Sequence, residues 1–286
     1  MKRLAVLMSC LAGIAGGGSA VASPDEDLKA LHNYFEQRFP GVPLAEYKNG
    51  IYAISADRRG EWEDIESFAP PYEDAVEIGK QLFEKPFANG KTYAGCFPNG
   101  GLGIRQNYPM FDASTGTIRT LEGEINACRE KNGEQPLKWK TGELAAISAY
   151  MGYTSRGQKI NVVVPNDPRA QSIYERGKKH FYAKRGQLNF ACADCHVYNA
   201  GSNVRADLLS PVLGHVTHFP VWRKAWANSA EGPMGGLGTL HRRYEGCNKQ
   251  VRAAAFEPQG EEYKALEYFH TYLSNGLEVN APGARQ

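Results

Sequence analysis

The chain is poor in long apolar runs, in any excess of one charge and in alternating polar and apolar stretches, and each shortage excludes a class of protein. After residue 22 no run approaches the ~18 consecutive apolar residues of a membrane-spanning helix, so a mature protein without a membrane anchor is expected. The 286 residues include 33 Lys and Arg against 31 Asp and Glu. Lys2 and Arg3 belong to the leader described next, and 33 less these two leaves 31 basic residues against 31 acidic ones. A chain this neutral lacks the basic stripe that marks nucleic-acid-binding domains, so nucleic acid is not an expected partner. Scarce period-two alternation disfavours a β-sandwich or barrel. The apolar share, 42%, is that of an ordinary globular core and excludes general disorder.

The N-terminus sets the compartment. Lys2 and Arg3 precede a short apolar stretch from Leu4 to Ala15, and a glycine-rich segment then ends in the small-x-small pattern Ala20-Val21-Ala22. Residues 1–22 therefore read as a removed signal peptide, and Cys10 leaves with it. A lipoprotein signal at Leu7-Met8-Ser9-Cys10 is the competing reading, opposed by the scant apolar sequence before that cysteine. Export implies an oxidising compartment, the periplasm.

Helical periodicity predicts helices over 26–39, with Leu28, Leu31 and Phe35 on one face, then from Pro71 to about Glu84, over 117–130 and over 142–155. Asp167-Pro168 supplies a cap and first-turn pair for a helix through Lys184. Two more are predicted at 239–252 and 260–274. Residues 40–70, rich in Pro, Gly and charge, read as an irregular connection. The class is mainly α.

The chain also repeats itself. Gly79-Lys-Gln-Leu-Phe83 resembles Gly177-Lys-Lys-His-Phe181. At one constant spacing Thr120-Leu121 falls on Thr239-Leu240, Cys128 on Cys247, Glu143 on Glu262, Tyr153 on Tyr272 and Gly157 on Gly276. This pattern predicts two tandem domains, 71–160 and 161–286, after an N-terminal helix and extended connection at 23–70.

Cys192-Ala-Asp-Cys195-His196 is C-x-x-C-H, the attachment signature of c-type haem. Two thiols at this spacing reach the two vinyl groups on one porphyrin edge, and the following imidazole lies under the iron. No second C-x-x-C exists to complete a four-cysteine zinc site, and an oxidoreductase C-x-x-C does not call for the histidine. In the first half the equivalent segment is Tyr93-Ala-Gly-Cys96-Phe97. Phe97 cannot ligate iron and Tyr93 cannot form a thioether, so that half should hold no haem. Both predicted domains are thus cytochrome c-like, with only the second retaining its haem.

Five cysteines remain in the mature chain. Without a haem to bind, Cys96 and Cys128 most simply pair as a disulfide in an oxidising compartment, two free thiols being the alternative. Cys247 is left over, in Leu240-His-Arg-Arg243-Tyr-Glu-Gly-Cys247-Asn-Lys-Gln-Val-Arg252. Cations around a thiol favour its thiolate, and with it metal ligation and nucleophilic chemistry. Met234, His215, His218 and His241 compete with Cys247 for the sixth iron position, whereas His32, His180 and His270 read as ordinary helix residues.

The block around Arg243 and Cys247, with the repeat and the single C-x-x-C-H, resembles SoxA, the cytochrome subunit of the thiosulfate-oxidising SoxAX complex, over nearly the whole mature chain. The resemblance implies an L-cysteine S-thiosulfotransferase that oxidatively joins thiosulfate to a cysteine of the carrier protein SoxYZ, beside a SoxX cytochrome subunit. It implies one haem c bound through Cys192 and Cys195, with His196 as proximal ligand. It makes Cys247 the distal thiolate ligand and the catalytic cysteine, able to carry a persulfide, and Arg243 the residue that binds the anionic substrate. Tyr93 and Phe97 place the chain with the monohaem subgroup, in which a disulfide replaces the lost site. A non-catalytic electron carrier with Met234 opposite His196 is the alternative function. Thiosulfate dehydrogenase is another, although that family normally keeps two C-x-x-C-H motifs.

Overall fold

The structure, a computed structural model, describes residues 22–227, 230 and 232–285. Of the expected signal peptide only Ala22 lies among them. Eight α-helices are described: α1 (Pro24–Arg38), α2 (Ala56–Phe68), α3 (Glu73–Glu84), α4 (Leu121–Lys131), α5 (Gly142–Tyr153), α6 (Pro168–Tyr182), α7 (Leu240–Gln250) and α8 (Glu261–Tyr272). The first begins two residues before its predicted start. Ser23 and Glu26 form a reciprocal capping box there, with Pro24 in the first turn. The Asp167 side chain caps α6 through the Arg169 N–H at 2.8 Å.

The expectation of an extended connection over 40–70 needs correction. Leu44–Ala53 forms tight helical turns and α2 follows. The second helix buries none of its residues, so it carries no apolar stripe for sequence periodicity to detect.

The internal repeat is visible as two equivalent helix crossings, α3 on α5 and α6 on α8. A glycine sits at each. A Cβ at Gly79 would stand 2.0 Å from the Ala146 carbonyl oxygen, and one at Gly177 would stand 2.0 Å from that of Ala265. Ala146 and Ala265 are themselves equivalent in the repeat, so both halves bring helix backbones together at the same place. Thr120 and Thr239 likewise occupy the N-cap positions of α4 and α7.

Two large apolar clusters follow the two halves. One is built on Phe83, Tyr93, Leu121, Ile125, Leu144 and Ile147. The other gathers α6, α8 and the C-x-x-C-H segment, and it also takes in Leu31, Phe35 and Tyr47. The N-terminal helix is therefore part of the second half's packing. Lys178 pairs with Asp27 at 2.7 Å, and the Tyr272 hydroxyl donates to Asp25 at 2.6 Å.

Seven short strands complete the described chain. β1 (Met110–Asp112) pairs with β2 (Thr117–Arg119), and β3 (Asn203–Val204) with β4 (Asp207–Leu208). β5 (Val221–Arg223) is the central strand of a three-stranded sheet, antiparallel to β6 (Leu237–Gly238) and parallel to β7 (Gly283–Arg285). Strands of two or three residues are too short to register as alternation in sequence.

Cys96 and Cys128 form a disulfide, separated by 32 residues in sequence. Closing such a loop stabilises a domain by about 3 kcal/mol, chiefly by restricting the unfolded chain. The Cys96→Ser/Cys128→Ser variant is expected to unfold at a temperature lower by roughly 5–10 °C in calorimetry. An unchanged midpoint would show that the bridge constrains nothing.

Candidate haem-thiolate site

Cys192 begins a helical turn that continues as a wide π-helical turn over Asp194–Tyr198. The Asp194 carboxylate fixes its start by accepting the Ala191 N–H at 2.7 Å. The His196 ring is oriented by donation from Nδ1 to the Ser210 carbonyl oxygen at 2.9 Å, while its own carbonyl accepts the Val212 N–H at 2.7 Å. With Nδ1 so engaged, Nε2 is the ring nitrogen left to meet an iron or the Cys247 sulfur, the arrangement that suits an imidazole ligand.

Helix α7 faces this turn and presents Arg243, Tyr244 and Cys247 to the same cavity. Cys192, Cys195 and His196 line one side of it, and Phe181 and Leu266 from α6 and α8 contribute apolar wall. Cys247 lies within hydrogen-bonding reach of His196. Two buried ring nitrogens on the wall, His215 Nδ1 and His270 Nε2, have no hydrogen-bond partner among the described residues. A pair of thiols at thioether spacing, an imidazole nitrogen left to meet an iron, apolar walls and orphaned buried nitrogens together fit a c-type haem.

The SoxA/TsdA cytochrome c domain family matches residues 78–160, the half that lacks C-x-x-C-H. The L-cysteine S-thiosulfotransferase subunit SoxA of Allochromatium vinosum is 51% identical over 99% of this chain and 98% of its own length. The corresponding subunit of Chlorobaculum tepidum is 50% identical over 92% and 88%. The chain belongs to the SoxA family. The crystal structure of SoxXA from P. pantotrophus matches with a TM-score of 0.70 at 30% identity, over 79% of this chain and 84% of that one. The fold is accordingly mainly helical, with tandem cytochrome c-like domains.

In this SoxA-family chain the electrostatics separate the three free cysteines. Burial works to raise the Cys247 pKa, but Arg243, the hydrogen bond from His196 and Arg223 outweigh it and bring the thiol down to about 7. Burial, followed by the neighbouring Cys247, pushes Cys192 up to about 12, and the same two causes raise Cys195. Near neutral pH a substantial fraction of Cys247 is thiolate while the thioether positions remain thiols. Burial holds His215 well below its ordinary range and His270 down to about 3, so both rings are neutral.

The candidates for the sixth position are sorted by location. Cys247 and His215 are brought to His196, the His215 ring lying 4.5 Å from the His196 ring between centroids. Met234 packs in the cluster around Tyr72, Ala145 and Leu237 and is not on the cavity wall. His218 stacks on Trp62 at 6.0 Å, and His241 pairs with Glu267 at 3.0 Å. His180 and His270, read from sequence as ordinary helix residues, both line the cavity, and the Tyr244 hydroxyl bonds to His270 Nδ1 at 2.9 Å.

In the first half Tyr93 takes part of the equivalent space, and the rest stays open as a cavity lined by Leu82, Phe87, Tyr93, Arg129 and Ile147. Tyr93 is fully buried, stacks on Phe83 at 5.6 Å and meets Phe87 at 4.8 Å, and its hydroxyl accepts from Arg129 at 3.1 Å. In the repeat Cys96 matches Cys195 and Cys128 matches Cys247. The disulfide thus joins the two places that the second half keeps as separate thiols on one cavity.

Two residues of the site were missed in the sequence. Arg223 and Arg285 share a groove with Cys195, His196 and Arg243. They lie on β5 and β7, far from the motif in sequence and on strands too short to be predicted.

Proposed function

We propose that this chain is the catalytic c-type cytochrome subunit of a periplasmic thiosulfate-oxidising system. Cys192 and Cys195 would hold one haem c as thioethers, His196 and Cys247 would ligate its iron, and the chain pairs with a SoxX cytochrome and acts on the carrier protein SoxYZ. The observation that carries the reading is Cys247, a thiol poised near neutrality beside Arg243 and facing His196. Such a group serves an anionic sulfur substrate, because fixed guanidinium charge holds the dianion while a thiolate receives its sulfane sulfur.

The chemistry balances in two stages. The Cys247 thiolate and thiosulfate form a sulfur–sulfur bond, giving Cys247–S–S–SO3⁻ and releasing two electrons. The carrier thiolate then attacks the sulfane sulfur, forms carrier–S–S–SO3⁻ and releases the Cys247 thiolate. When bound, the haem supplies an exit for those electrons one at a time, towards cytochrome c. Arg243 binds and orients the sulfonate, and the apolar wall keeps water from the new sulfur–sulfur bond. The position of Met234 away from His196 counts against the plain electron carrier.

The test is thiosulfate-dependent reduction of cytochrome c by the intact complex, with and without carrier protein. Absence of carrier-dependent turnover would refute the reading. Arg243→Gln is expected to raise KM for thiosulfate roughly ten- to a hundredfold, the range of a lost charge-assisted contact. Arg243 lowers the Cys247 pKa in the chain without haem, so its removal raises that pKa there. An unmoved KM would remove Arg243 from the site.

A further inference from the structure

Arg223 and Arg285 are a register pair on the parallel strands β5 and β7. Like charges in that relation repel, and burial makes the repulsion costlier. Arg223 Nε and Arg285 Nη2 are buried without a hydrogen-bond partner among the described residues, and neither guanidinium has a described carboxylate within ion-pair distance.

The two side chains are nevertheless held in place. The Arg285 guanidinium donates to the Asn49 carbonyl at 3.1 Å and lies 5.0 Å from the Tyr52 ring. Gly50 makes room for it, since a Cβ there would stand 2.4 Å from Nη2 and the backbone has φ +58°. Arg223 rests over Trp226 at 5.5 Å. Burial, then the Arg243 charge, lowers the Arg223 pKa to about 10, and burial lowers that of Arg285. The charges of Asp207 and Glu66 act on Arg223 and Arg285 respectively, and Tyr52 bonds to Arg285, yet Arg223 Nε and Arg285 Nη2 stay unpartnered among the described residues. Two supported, partly buried cations with an open N–H each form a receptor for an oxyanion, which would supply acceptors and counter-charge together.

We propose that Arg223 and Arg285 form an oxyanion-binding pair in the groove that also holds Cys195, His196 and Arg243. Arg243 joins the pair to the reactive thiol, because its charge acts on Cys247, Cys195, Arg223 and Arg285 alike. The ligand chemistry is a resonance-stabilised, doubly or triply oxygenated anion. Two sources offer it, a haem propionate carboxylate and the sulfonate of thiosulfate, and naming them rests on the function proposed above.

The experiment uses the haem-loaded complex carrying Arg223→Gln or Arg285→Gln, with the visible haem spectrum as the check on folding. If the anion is the propionate, the propionate bending band in resonance Raman shifts while KM for thiosulfate stays. If it is the sulfonate, KM rises at least about tenfold, competitive inhibition by sulfate weakens in parallel and kcat changes little. Either result sustains the pair, and no change in both measurements overturns it. Should a glutamine variant lose its haem spectrum, Arg223→Lys and Arg285→Lys are read instead. Lysine keeps the charge but loses the planar fork, so one of the two signals still moves, and neither moving is again fatal. If the wild-type complex shows no thiosulfate-dependent turnover, the proposed function fails on its own, and the Raman measurement still decides whether the arginines hold a propionate.

Discussion

Cys247→Ala is expected to lower thiosulfate-dependent cytochrome c reduction by on the order of a thousandfold or more while haem stays covalently attached. The two effects separate because thioether attachment depends on Cys192 and Cys195, whereas sulfur transfer depends on the thiolate of α7. Removing Cys247 deletes the nucleophile and the atom that faces His196, so the visible spectrum should also change as a different group meets the iron. The measurements are turnover with carrier protein present, denatured-state haem content and the oxidised spectrum. Turnover equal to wild type would end the catalytic assignment. In the chain without haem the Cys247 thiolate is lost as pH falls through about 7, whereas ligation to iron would keep the sulfur deprotonated.

A large effect on stability is expected at Gly177, in the middle of α6. An added Cβ would lie 2.0 Å from the Ala265 carbonyl oxygen and 2.8 Å from the Phe269 Cβ. Neither is the movable end of a side chain, so α6 and α8 must separate. Gly177→Ala gains about 1 kcal/mol of helix propensity, yet the overpacking outweighs it and a net loss of about 2–3 kcal/mol is expected. The unfolding midpoint should fall by roughly 5–10 °C, with impaired haem retention because α6 and α8 wall the cavity. Gly60→Ala is the control, since that glycine lies in α2 with nothing within 4 Å of an added Cβ. There the substitution should be neutral or stabilising by up to about 1 kcal/mol. Equal behaviour of the two variants would refute the close crossing.

The repeat connects these results. Two copies of one crossing, each closed by glycine against an alanine carbonyl, carry two different pockets. In the first, Tyr93 and Phe97 occupy the positions of Cys192 and His196, and the remaining thiols are tied together at Cys96–Cys128. In the second, the matching thiols stay apart on one cavity. A disulfide in the second half would consume the reactive thiolate, whereas in the first half it holds α4 to the segment that lost its haem site.

The capped helices, the mainly helical class and the repeat are legible in the sequence, because caps and the 3.6-residue period are local signals. The thioether pair is legible for the same reason, its spacing being fixed by the porphyrin edge. By itself the sequence determined where a haem can attach, which half cannot hold one, and which cysteine remains for chemistry. Only the tertiary structure decided what surrounds that cysteine. It withdrew Met234, His218 and His241 from His196, turned His180 and His270 into cavity wall, and set Arg223 beside Arg285 across two strands too short to be seen in advance. The reason is physical: attachment chemistry lies in five consecutive residues, whereas the field around Cys247 is summed over charges that only folding brings within a few ångströms of one another.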